Sequence, residues 1–376
     1  MDKLETYIRQ NSFERPTLVL DVSKVEENYH NLKTGLGNAH IHYAVKSNPQ
    51  KEILERLVKL GSKFDAASAG EIEMCLNAGA KPEHITFGNT VKRVADIQYA
   101  YSNGITIYSA DAEEELEKIA EHAPNSSVFI RILMQTTEAE WPLSRKFGCS
   151  DNYVVPLMHY AISLGLKPIG VSFHVGSQTR HPHMWNESLD TVAYVWNQAK
   201  EEGFDLTLLN IGGGFPAYYG VNITNPIEYG KYLTAAIQER FGDVEYIMAE
   251  PGRGMVGNCG MMAATVLLVS RKVQLDPVRW VYLDVGKFSG LAETDAEAIK
   301  YQFLVPDKED SDTDYCILAG PTCDSADVLY ETHKILLPVD LKSGDKIIVK
   351  SCGAYTTTYS TIAFNGFPPL NVVVLQ

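Results

Sequence analysis

Eight short apolar runs, separated by stretches of helical pattern, recur from residue 41 onward and constrain the fold more than any other feature. The runs are mostly unbroken rather than alternating, which is typical of strands buried on both faces of a parallel sheet. They occupy residues 41–45, 63–68, 85–89, 105–110, 127–133, 169–176, 206–213 and 246–252.

The segments between these runs carry helix signals. EILERLVKLG has apolar residues at i, i+3 and i+4 spacing and stops at Gly61, which is typical of a helix C-terminus. In SADAEEELEKIAEHA the acidic first turn suits the helix dipole, and we expect Ser109 or Asp111 to cap it. Eight cycles of strand and helix predict a (β/α)8 barrel of TIM type in a domain of residues 23–262, with an extra leading helix at 23–36.

The pattern changes near residue 262, where strand-like segments follow one another with few helices between them. We therefore predict a second, mainly antiparallel β domain, formed by residues 1–22 and 263–376. The run TLVLDV at 17–22 precedes the barrel, and we expect it to pair into this second domain.

Composition excludes several classes of protein. Of the 376 residues, 45% are apolar and 21% are charged, an ordinary globular balance that excludes disorder and coiled coil. The net charge of −14 argues against a nucleic-acid partner, which requires a basic face. This charge is compatible with a cationic substrate, but solubility alone is the simpler interpretation.

The six cysteines include no CxxC pair, so we expect reduced thiols, no zinc site and a cytoplasmic location. The first ten residues, MDKLETYIRQ, lack the apolar stretch of a signal peptide. No run approaches the roughly 18 apolar residues of a membrane helix, so we expect no membrane partner.

Barrel enzymes act at the C-terminal ends of their strands, so the residues at those ends are candidates for an active site. Polar, ionisable and glycine residues collect there, and we predict one site that draws on several strands. They are Lys46, Asp65, Ser68, Asn89, Arg131, His174, Ser177, Gly212, Gly213, Gly214, Glu250 and Arg253.

Taken one at a time, these residues have two interpretations. Lys46 either reaches solvent at a strand end or is an amine in a half-buried site that forms a Schiff base. His174 is either a satisfied core histidine or a flat ring against a flat cofactor. Glu250 would need a partner if buried, either Arg253 or a protonated ligand nitrogen. The triple glycine in IGGGFP either forms a tight turn or offers amides to a phosphate, which the arginine of EPGR favours.

The predicted β domain contributes two further features. GPTCDSADVLY places Cys323 beside Asp324, and the thiol is either a buried spare or an acid or base in a cleft. The segment 353–369 combines small, hydroxyl and aromatic residues with little charge, which indicates an interface or a pocket wall.

The order of these motifs closely resembles the barrel-fold (type III) PLP-dependent ornithine/lysine decarboxylases, especially short bacterial ornithine decarboxylases. The motifs are YAVKSNP, FDAASAGE, HVGS, GGGFP, EPGR, GPTCDS and GAYT, and the resemblance spans residues 15–370. It implies that Lys46 holds pyridoxal 5'-phosphate, that His174 stacks on its ring and that Glu250 pairs with the pyridine nitrogen. The other implied cofactor-site residues are Asp65, Glu71, Arg131, Ser177, Gly213, Gly214, Gly252, Arg253 and Tyr355.

The resemblance also implies an obligate homodimer, in which Cys323 and Asp324 enter the site of the partner subunit. Cys323 would donate a proton, and Asp324 would bind the distal amine of the substrate. Glu293 is our choice for a second substrate-binding acid, with Asp295 in reserve.

The implied activity is decarboxylation of ornithine to putrescine, and possible acceptance of lysine to give cadaverine stays open. Relatives specific for diaminopimelate carry CES rather than the CDS of this chain. The alternatives are a decarboxylase of arginine or diaminopimelate, or a non-catalytic homologue that binds pyridoxal phosphate.

Overall fold

The chain, described by a computed structural model over residues 2–134 and 146–376, begins with α1 (Lys3–Gln10) and β1 (Thr17–Asp21). Helix α2 (Val22–Leu36) follows as the leading helix that the sequence predicts. The next eight strands pair in chain order, each parallel to its neighbour, and the last pairs with the first to close a barrel. They are β2 (His40–Ala44), β3 (Lys63–Ala66), β4 (Ile85–Phe87), β5 (Ile107–Ala110), β6 (Ser127–Arg131), β7 (Lys167–Ser172), β8 (Leu208–Asn210) and β9 (Tyr246–Ala249).

The predicted (β/α)8 barrel is therefore confirmed. Phe129 on β6, Leu208 on β8 and Met248 on β9 form one buried apolar cluster of the barrel strands. The helices between the strands are α3 (Lys51–Lys59), α4 (Ala69–Asn77), α5 (Val94–Ser102), α6 (Glu113–His122), α7 (Asp151–Ser163), α8 (Asn186–Glu201) and α9 (Pro226–Phe241), and a short α10 (Arg253–Val256) follows β9.

Several strands end earlier than the apolar runs predict. The run 169–176 overlaps β7, which begins at Lys167 and ends at Ser172, and the run 206–213 contains β8, which ends at Asn210. Most residues that follow each strand within its run are buried but lie outside the sheet, in the loops at the C-terminal end of the barrel. An apolar run therefore predicts which residues are buried, but it does not predict where strand pairing ends.

The predicted cap of α6 is wrong for both candidates. Ser109 lies inside β5, and the helix begins after Ala112, which makes no side-chain cap bond. Asp111 instead accepts a hydrogen bond from the Gly148 amide at 2.7 Å. A partner 37 residues away along the chain leaves no local signal in the sequence.

The chain forms two compact units: one comprises residues 26–216 and 223–255, and the other 1–25, 217–222 and 256–376. The first contains the barrel. From the sequence, we place the boundaries between the barrel domain and the β domain at 22/23 and 262/263, and these boundaries stay a prediction.

The second unit contains one mixed sheet of eight strands. Most neighbouring strands are antiparallel, but β1 runs parallel to β16 (Asn371–Leu375), and β11 (Arg279–Leu283) runs parallel to β13 (Thr313–Ala319). The expected pairing of the segment 17–22 into this sheet is confirmed, since β1 lies between β10 and β16. The remaining strands are β10 (Gly260–Ser270), β11 (Arg279–Leu283), β12 (Phe303–Leu304), β13 (Thr313–Ala319), β14 (Val328–Pro338), β15 (Lys346–Val349) and β16 (Asn371–Leu375).

Helix α1 was not predicted from the sequence. Asp2 caps it by accepting a hydrogen bond from the Leu4 amide at 2.8 Å. Leu4 and Ile8 are fully buried against residues of β1, β10 and β15. Eight residues are too few for a helix that is stable alone, so this helix depends on the sheet beneath it. Within the described residues, none of the helices is long and apolar enough to cross a membrane.

A chain of polar side chains closes the N-terminal end of the barrel, opposite the predicted site. Lys63 Nζ donates to the Tyr246 hydroxyl at 2.6 Å, and that hydroxyl lies 2.9 Å from His42 Nε2. His40 stacks on the Tyr246 ring at 4.1 Å between centroids. Burial, with the positive charge of Lys63, lowers the pKa of His40 to about 4 and holds the pKa of His42 well below its usual range.

This arrangement predicts acid lability. A histidine of pKa about 4 in the folded chain and about 6.5 when unfolded leaves stability intact above pH 6.5. As pH falls from 6.5 to 4, the unfolded chain binds the proton more readily, so stability is lost. Between pH 7.5 and pH 5, we expect the melting temperature of His40→Gln to fall by less than that of the wild-type protein. Thermal unfolding followed by circular dichroism measures both decreases.

His30→Gln is the matched control, because the His30 side chain on α2 is 61% exposed. This variant should follow the wild-type protein at both pH values. An equal acid shift in His40→Gln and the wild-type protein would contradict the assignment.

Candidate active site

Lys46 lies directly after the first barrel strand, in a single 3₁₀ turn of residues 45–47. Two side-chain hydrogen bonds stabilise this turn. The Tyr43 hydroxyl donates to the Asn48 carbonyl at 2.8 Å, and Ser47 Oγ donates to the Tyr43 hydroxyl at 2.9 Å. Val45 and Ser47 are buried while the Lys46 side chain is exposed. The turn therefore presents the amine at the C-terminal end of the barrel.

Asp65, on β3, is the most perturbed acid of this region. Burial, and then the negative charge of Glu250, raise the pKa of Asp65 well above its usual range, while Lys46 and Arg131 oppose that shift. Its Oδ1 is buried and has no hydrogen-bond partner among the described residues. A side chain at Gly88 would put a Cβ 1.8 Å from this oxygen, so the chain approaches Asp65 closely there.

Glu71 lies in the first turn of α4 and accepts a hydrogen bond from the Ala67 amide at 2.7 Å. Burial raises the pKa of Glu71, although the Ala67 amide and the positive charge of Lys46 both lower it. The amine of Lys46 thus acts electrostatically on both Asp65 and Glu71.

His174 follows β7 and is held as a neutral ring. Its Nδ1 accepts a hydrogen bond from the Gly176 amide at 3.0 Å, which leaves the proton of the neutral ring on Nε2. Burial, and then the charges of Arg131 and Lys46, hold the pKa of His174 well below its usual range. Burial also lowers the pKa of Arg131, which the charges of Glu250 and Asp65 oppose.

The glycine loop after β8 permits a close approach to the backbone. A Cβ at Gly213 would lie 2.8 Å from the Glu250 carbonyl oxygen and 3.0 Å from His174 Nε2. Gly214 has φ +110°, a conformation that other residues rarely adopt. Nearby, Arg253 is buried and donates to Ser177 Oγ from Nε at 3.3 Å and from Nη2 at 3.1 Å. An arginine, a hydroxyl and open backbone amides suit an anion such as phosphate.

Asn210, the last residue of β8, was not among the predicted site residues. It is 1% exposed, donates from Nδ2 to Glu250 Oε1 at 2.5 Å and accepts from the Gly212 amide at 2.8 Å. The Glu250 amide in turn donates to the Gly212 carbonyl at 2.8 Å. Asn210 therefore fixes the carboxylate relative to the glycine loop. A polar residue that ends an apolar strand beside GGG is the signal that could have identified it.

The barrel unit brings together most of the predicted residues at the C-terminal ends of its strands. The predicted residues of that unit are Lys46, Asp65, Ser68, Glu71, Asn89, Arg131, His174, Ser177, Gly212, Gly213, Gly214, Glu250, Gly252 and Arg253. Cys323, Asp324, Glu293, Asp295 and Tyr355 belong to the sheet unit, and their contribution to a site stays a prediction.

Within the sheet unit, a buried carboxylate organises the loop that carries Cys323 and Asp324. Asp327 accepts hydrogen bonds from the Lys287 amide at 2.8 Å, the Thr322 amide at 3.1 Å and Thr322 Oγ1 at 2.7 Å. The Cys323 amide donates to Asn365 Oδ1 at 2.8 Å. Both Cys323 and Asp324 are exposed, so the interpretation of Cys323 as a buried spare thiol is wrong.

The two candidates for the second acid differ in exposure. Glu293 is 4% exposed, whereas the side chain of Asp295 is 73% exposed and pairs with Lys287 at 3.3 Å. Tyr355 adopts a left-handed backbone conformation, with φ +54°, and its ring lies 5.6 Å from that of Tyr359.

Residues 22–257 match the family model described as pyridoxal-dependent decarboxylase, pyridoxal binding domain. The chain is 33% identical over 345 residues to an ornithine decarboxylase of Schizosaccharomyces pombe, covering 89% of this chain and 77% of the relative. It is 33% identical over 357 residues to a lysine/ornithine decarboxylase of Selenomonas ruminantium, covering 94% and 87%. Another relative, 31% identical over 98% of this chain and 82% of its own length, is antizyme inhibitor 2 of Xenopus laevis.

Solved structures match over nearly the whole chain. The lysine/ornithine decarboxylase of Vibrio vulnificus, complexed with cadaverine, has a TM-score of 0.87 at 30% identity, covering 99% of this chain and 97% of that one. The arginine decarboxylase of Paramecium bursaria Chlorella virus, bound to agmatine, has a TM-score of 0.88 at 28% identity, covering 99% and 100%.

The residues present fit pyridoxal phosphate. The glycine loop with Arg253 and Ser177 offers donors for a phosphate, and a lysine amine lies at the same end of the barrel. The partnerless Oδ1 of Asp65 is a buried polar atom of the kind that a bound group completes.

Asn210→Leu should destabilise the cofactor-free protein by about 1–3 kcal/mol, because it leaves the buried Gly212 amide without its acceptor. Urea unfolding measures the loss. Asn152→Leu, at an exposed position on α7, is the control and should stay within ~0.5 kcal/mol of the wild-type protein. Equal losses in the two variants would show that Asn210 does not hold this loop.

Proposed function

The chain belongs to the barrel-fold (type III) PLP-dependent ornithine/lysine decarboxylase family, and we propose that it decarboxylates L-ornithine to putrescine. The observation that carries the proposal is the group of ionisable side chains at one end of the barrel. Lys46, Glu250, Glu71 and Arg131 all act electrostatically on the buried Asp65. Burial shifts the pKa values of Asp65, Glu71 and Arg131 toward their uncharged forms, and a cluster of such groups is typical of a reactive site.

Pyridoxal phosphate supplies an aldehyde that binds amines and a pyridinium ring that accepts electrons when a bond at Cα breaks. Lys46 would bind that aldehyde until the substrate amine replaces it. Glu250, oriented by Asn210, would keep the ring nitrogen protonated, because a nearby opposite charge favours the charged form. His174, a neutral flat ring, would pack against the cofactor without adding a competing charge.

The phosphate would be held by Ser177, Gly213, Gly214 and Arg253, with Gly252 and Tyr355 completing the set. Arg253 is buried and already aligned on Ser177 by two hydrogen bonds. A fixed arginine loses little conformational freedom when an anion binds, which favours tight binding.

Substrate choice would depend on negative charge near the distal amine. Asp324 is an exposed carboxylate. Of the two candidates for a second substrate-binding acid, Glu293 and Asp295, Glu293 is the buried one. The net charge of −14 is compatible with a dicationic product. Ornithine and lysine differ by one methylene, which is worth only about 1–3 kcal/mol of discrimination, so lysine is a natural second substrate.

We infer a homodimer in which Cys323 and Asp324 of each subunit complete the site of the other. The exposure of both residues within their own subunit is consistent with this sharing. Cys323 would return a proton to Cα after CO2 leaves. A cytoplasmic enzyme of putrescine biosynthesis is consistent with six free cysteines, none of which pairs in the structure.

Two alternatives remain distinct from this proposal. The similarity to a viral arginine decarboxylase supports a different basic amino acid as substrate. The similarity to an antizyme inhibitor supports a non-catalytic role, against which the presence of both Lys46 and Cys323 argues.

The test of substrate is CO2 release from ornithine, lysine, arginine and diaminopimelate, measured side by side. We expect the highest kcat/KM for ornithine, with lysine lower by about 10–200-fold, the range that one methylene provides. Faster turnover of arginine or diaminopimelate than of ornithine would overturn the substrate, and no turnover of any would favour the non-catalytic alternative.

The test of shared sites uses two variants, Lys46→Ala and Cys323→Ala. Lys46→Ala should be inactive, and Cys323→Ala should be slow while still binding the cofactor. Mixing equal amounts should restore about a quarter of wild-type activity, because about half of C2 dimers are then mixed and each has one complete site. Activity no greater than the sum of the two separate proteins would contradict sharing.

A further inference from the structure

Lys92 carries a fully buried ammonium in the loop between β4 and α5, outside the set of residues considered so far. Its side chain is 0% exposed. Nζ donates to the Ser109 carbonyl at 2.6 Å and the Asn89 carbonyl at 2.8 Å, and it pairs with Glu115 Oε1 at 2.9 Å. Two of the hydrogen bonds of the ammonium thus go to backbone carbonyls on two different segments, and the Glu115 carboxylate forms an ion pair with it from a third segment.

The ion pair continues to a second lysine. Lys118 Nζ lies 2.6 Å from Glu115 Oε2 and donates to the Lys92 carbonyl at 2.7 Å. Burial lowers the pKa of Lys92 to about 8, and the negative charge of Glu115 opposes that shift. Two carbonyl acceptors and the Glu115 carboxylate around Nζ all favour the protonated ammonium.

Asn89 connects Lys92 to the acids of the site. While Lys92 holds its carbonyl, Asn89 Nδ2 donates to the Ala67 carbonyl at 3.3 Å. The Ala67 amide donates in turn to Glu71 at 2.7 Å. One residue before Asn89, the Gly88 amide donates to the Ala66 carbonyl at 3.0 Å, beside the buried Asp65.

The other acceptor of Lys92 leads toward Arg131. The Ser109 carbonyl lies two residues before Asp111, whose carboxylate accepts from the Gly148 amide at 2.7 Å. The negative charge of Asp111 acts on Arg131. Lys92 thus connects the loop after β4 to the end of β5, and residues of both adjoin the charged cluster.

A buried ion pair of this kind adds little to stability, because removing two charges from water costs about as much as their attraction returns. Apolar side chains in place of both partners could fill the same space without that cost. An apolar side chain could not, however, bind the backbone carbonyls of Asn89 and Ser109 at the same time.

We propose that Lys92 is a positioning residue for the decarboxylation site, acting through Asn89 and Ala67 to align Glu71 and Asp65 beside Lys46. The inference rests on the proposed function for its catalytic consequence, but the alignment itself is a property of the cofactor-free chain. Lys92 touches neither substrate nor cofactor in this role.

The experiment compares Lys92→Met with Lys118→Met, since both remove one positive charge from the same ion-pair network and only the first removes the bonds to Asn89 and Ser109. Amide hydrogen exchange of cofactor-free protein reports the alignment directly. The Ala67 amide should exchange at least about tenfold faster in Lys92→Met and at an unchanged rate in Lys118→Met. Unchanged exchange in both variants would overturn the positioning role, whether or not the protein binds pyridoxal phosphate.

The second measurement is the pH midpoint of the visible absorbance of bound pyridoxal phosphate, which reports the protonation of the nitrogen contributed by Lys46. Misaligned acids change the charge around that nitrogen, so we expect a shift of at least about 0.5 pH unit in Lys92→Met, with kcat falling more than KM rises. A purely structural loss would lower the amount of folded protein and leave the midpoint unchanged, which would count against the proposal.

Asn89→Ala serves if Lys92→Met does not fold, because it removes the link to Ala67 and keeps the buried ion pair. The same faster exchange at Ala67 and the same direction of absorbance shift are expected. Wild-type behaviour of Asn89→Ala in both measurements would show that the connection to Glu71 does not run through this residue. If the wild-type protein binds no pyridoxal phosphate, the proposed function is overturned. The exchange rate of the Ala67 amide in cofactor-free protein would still test whether Lys92 positions this segment.

Discussion

Closure of the parallel barrel is the constraint on which the site depends. Pairing of the first strand, His40–Ala44, with the last, Tyr246–Ala249, brings residues 200 positions apart along the chain to one rim. Every parallel strand points the same way, so each contributes its following residue to the same end. A lysine after the first strand and a glutamate after the last thus act on a common neighbour, Asp65. An open sheet of the same strands would spread these groups along an edge.

Burial and mutual charge set the character of the cluster. Burial shifts the pKa of Asp65 upward and the pKa values of Arg131 and His174 downward, in each case toward the uncharged form. The opposite charges nearby limit those shifts for Asp65 and Arg131. A charged or polar ligand that enters such a region meets dipoles and charges already in place, which is the condition for electrostatic catalysis.

Three polar side chains that would touch no substrate hold the backbone around the functional residues. Asn210 bridges Glu250 and the Gly212 amide, and Asp327 closes the loop of Cys323. Lys92 binds two carbonyls at the ends of neighbouring strands. Each has a different charge, but each satisfies backbone groups that a loop would otherwise expose to water. Loops held in this way can present reactive side chains on a fixed scaffold.

The sequence by itself determined the barrel, because unbroken apolar runs that alternate with amphipathic segments allow few other solutions. It also indicated most of the rim residues, because polar and glycine residues collect near the ends of those runs. It did not determine that β7 and β8 end early, that the second sheet has two parallel pairings, or that Asp111 binds Gly148 rather than capping α6. Those outcomes, with the bridging role of Asn210, were decided by contacts between segments far apart in the chain. Local periodicity reports which residues are buried, whereas hydrogen-bond partners depend on which distant backbone groups the closed structure places within reach.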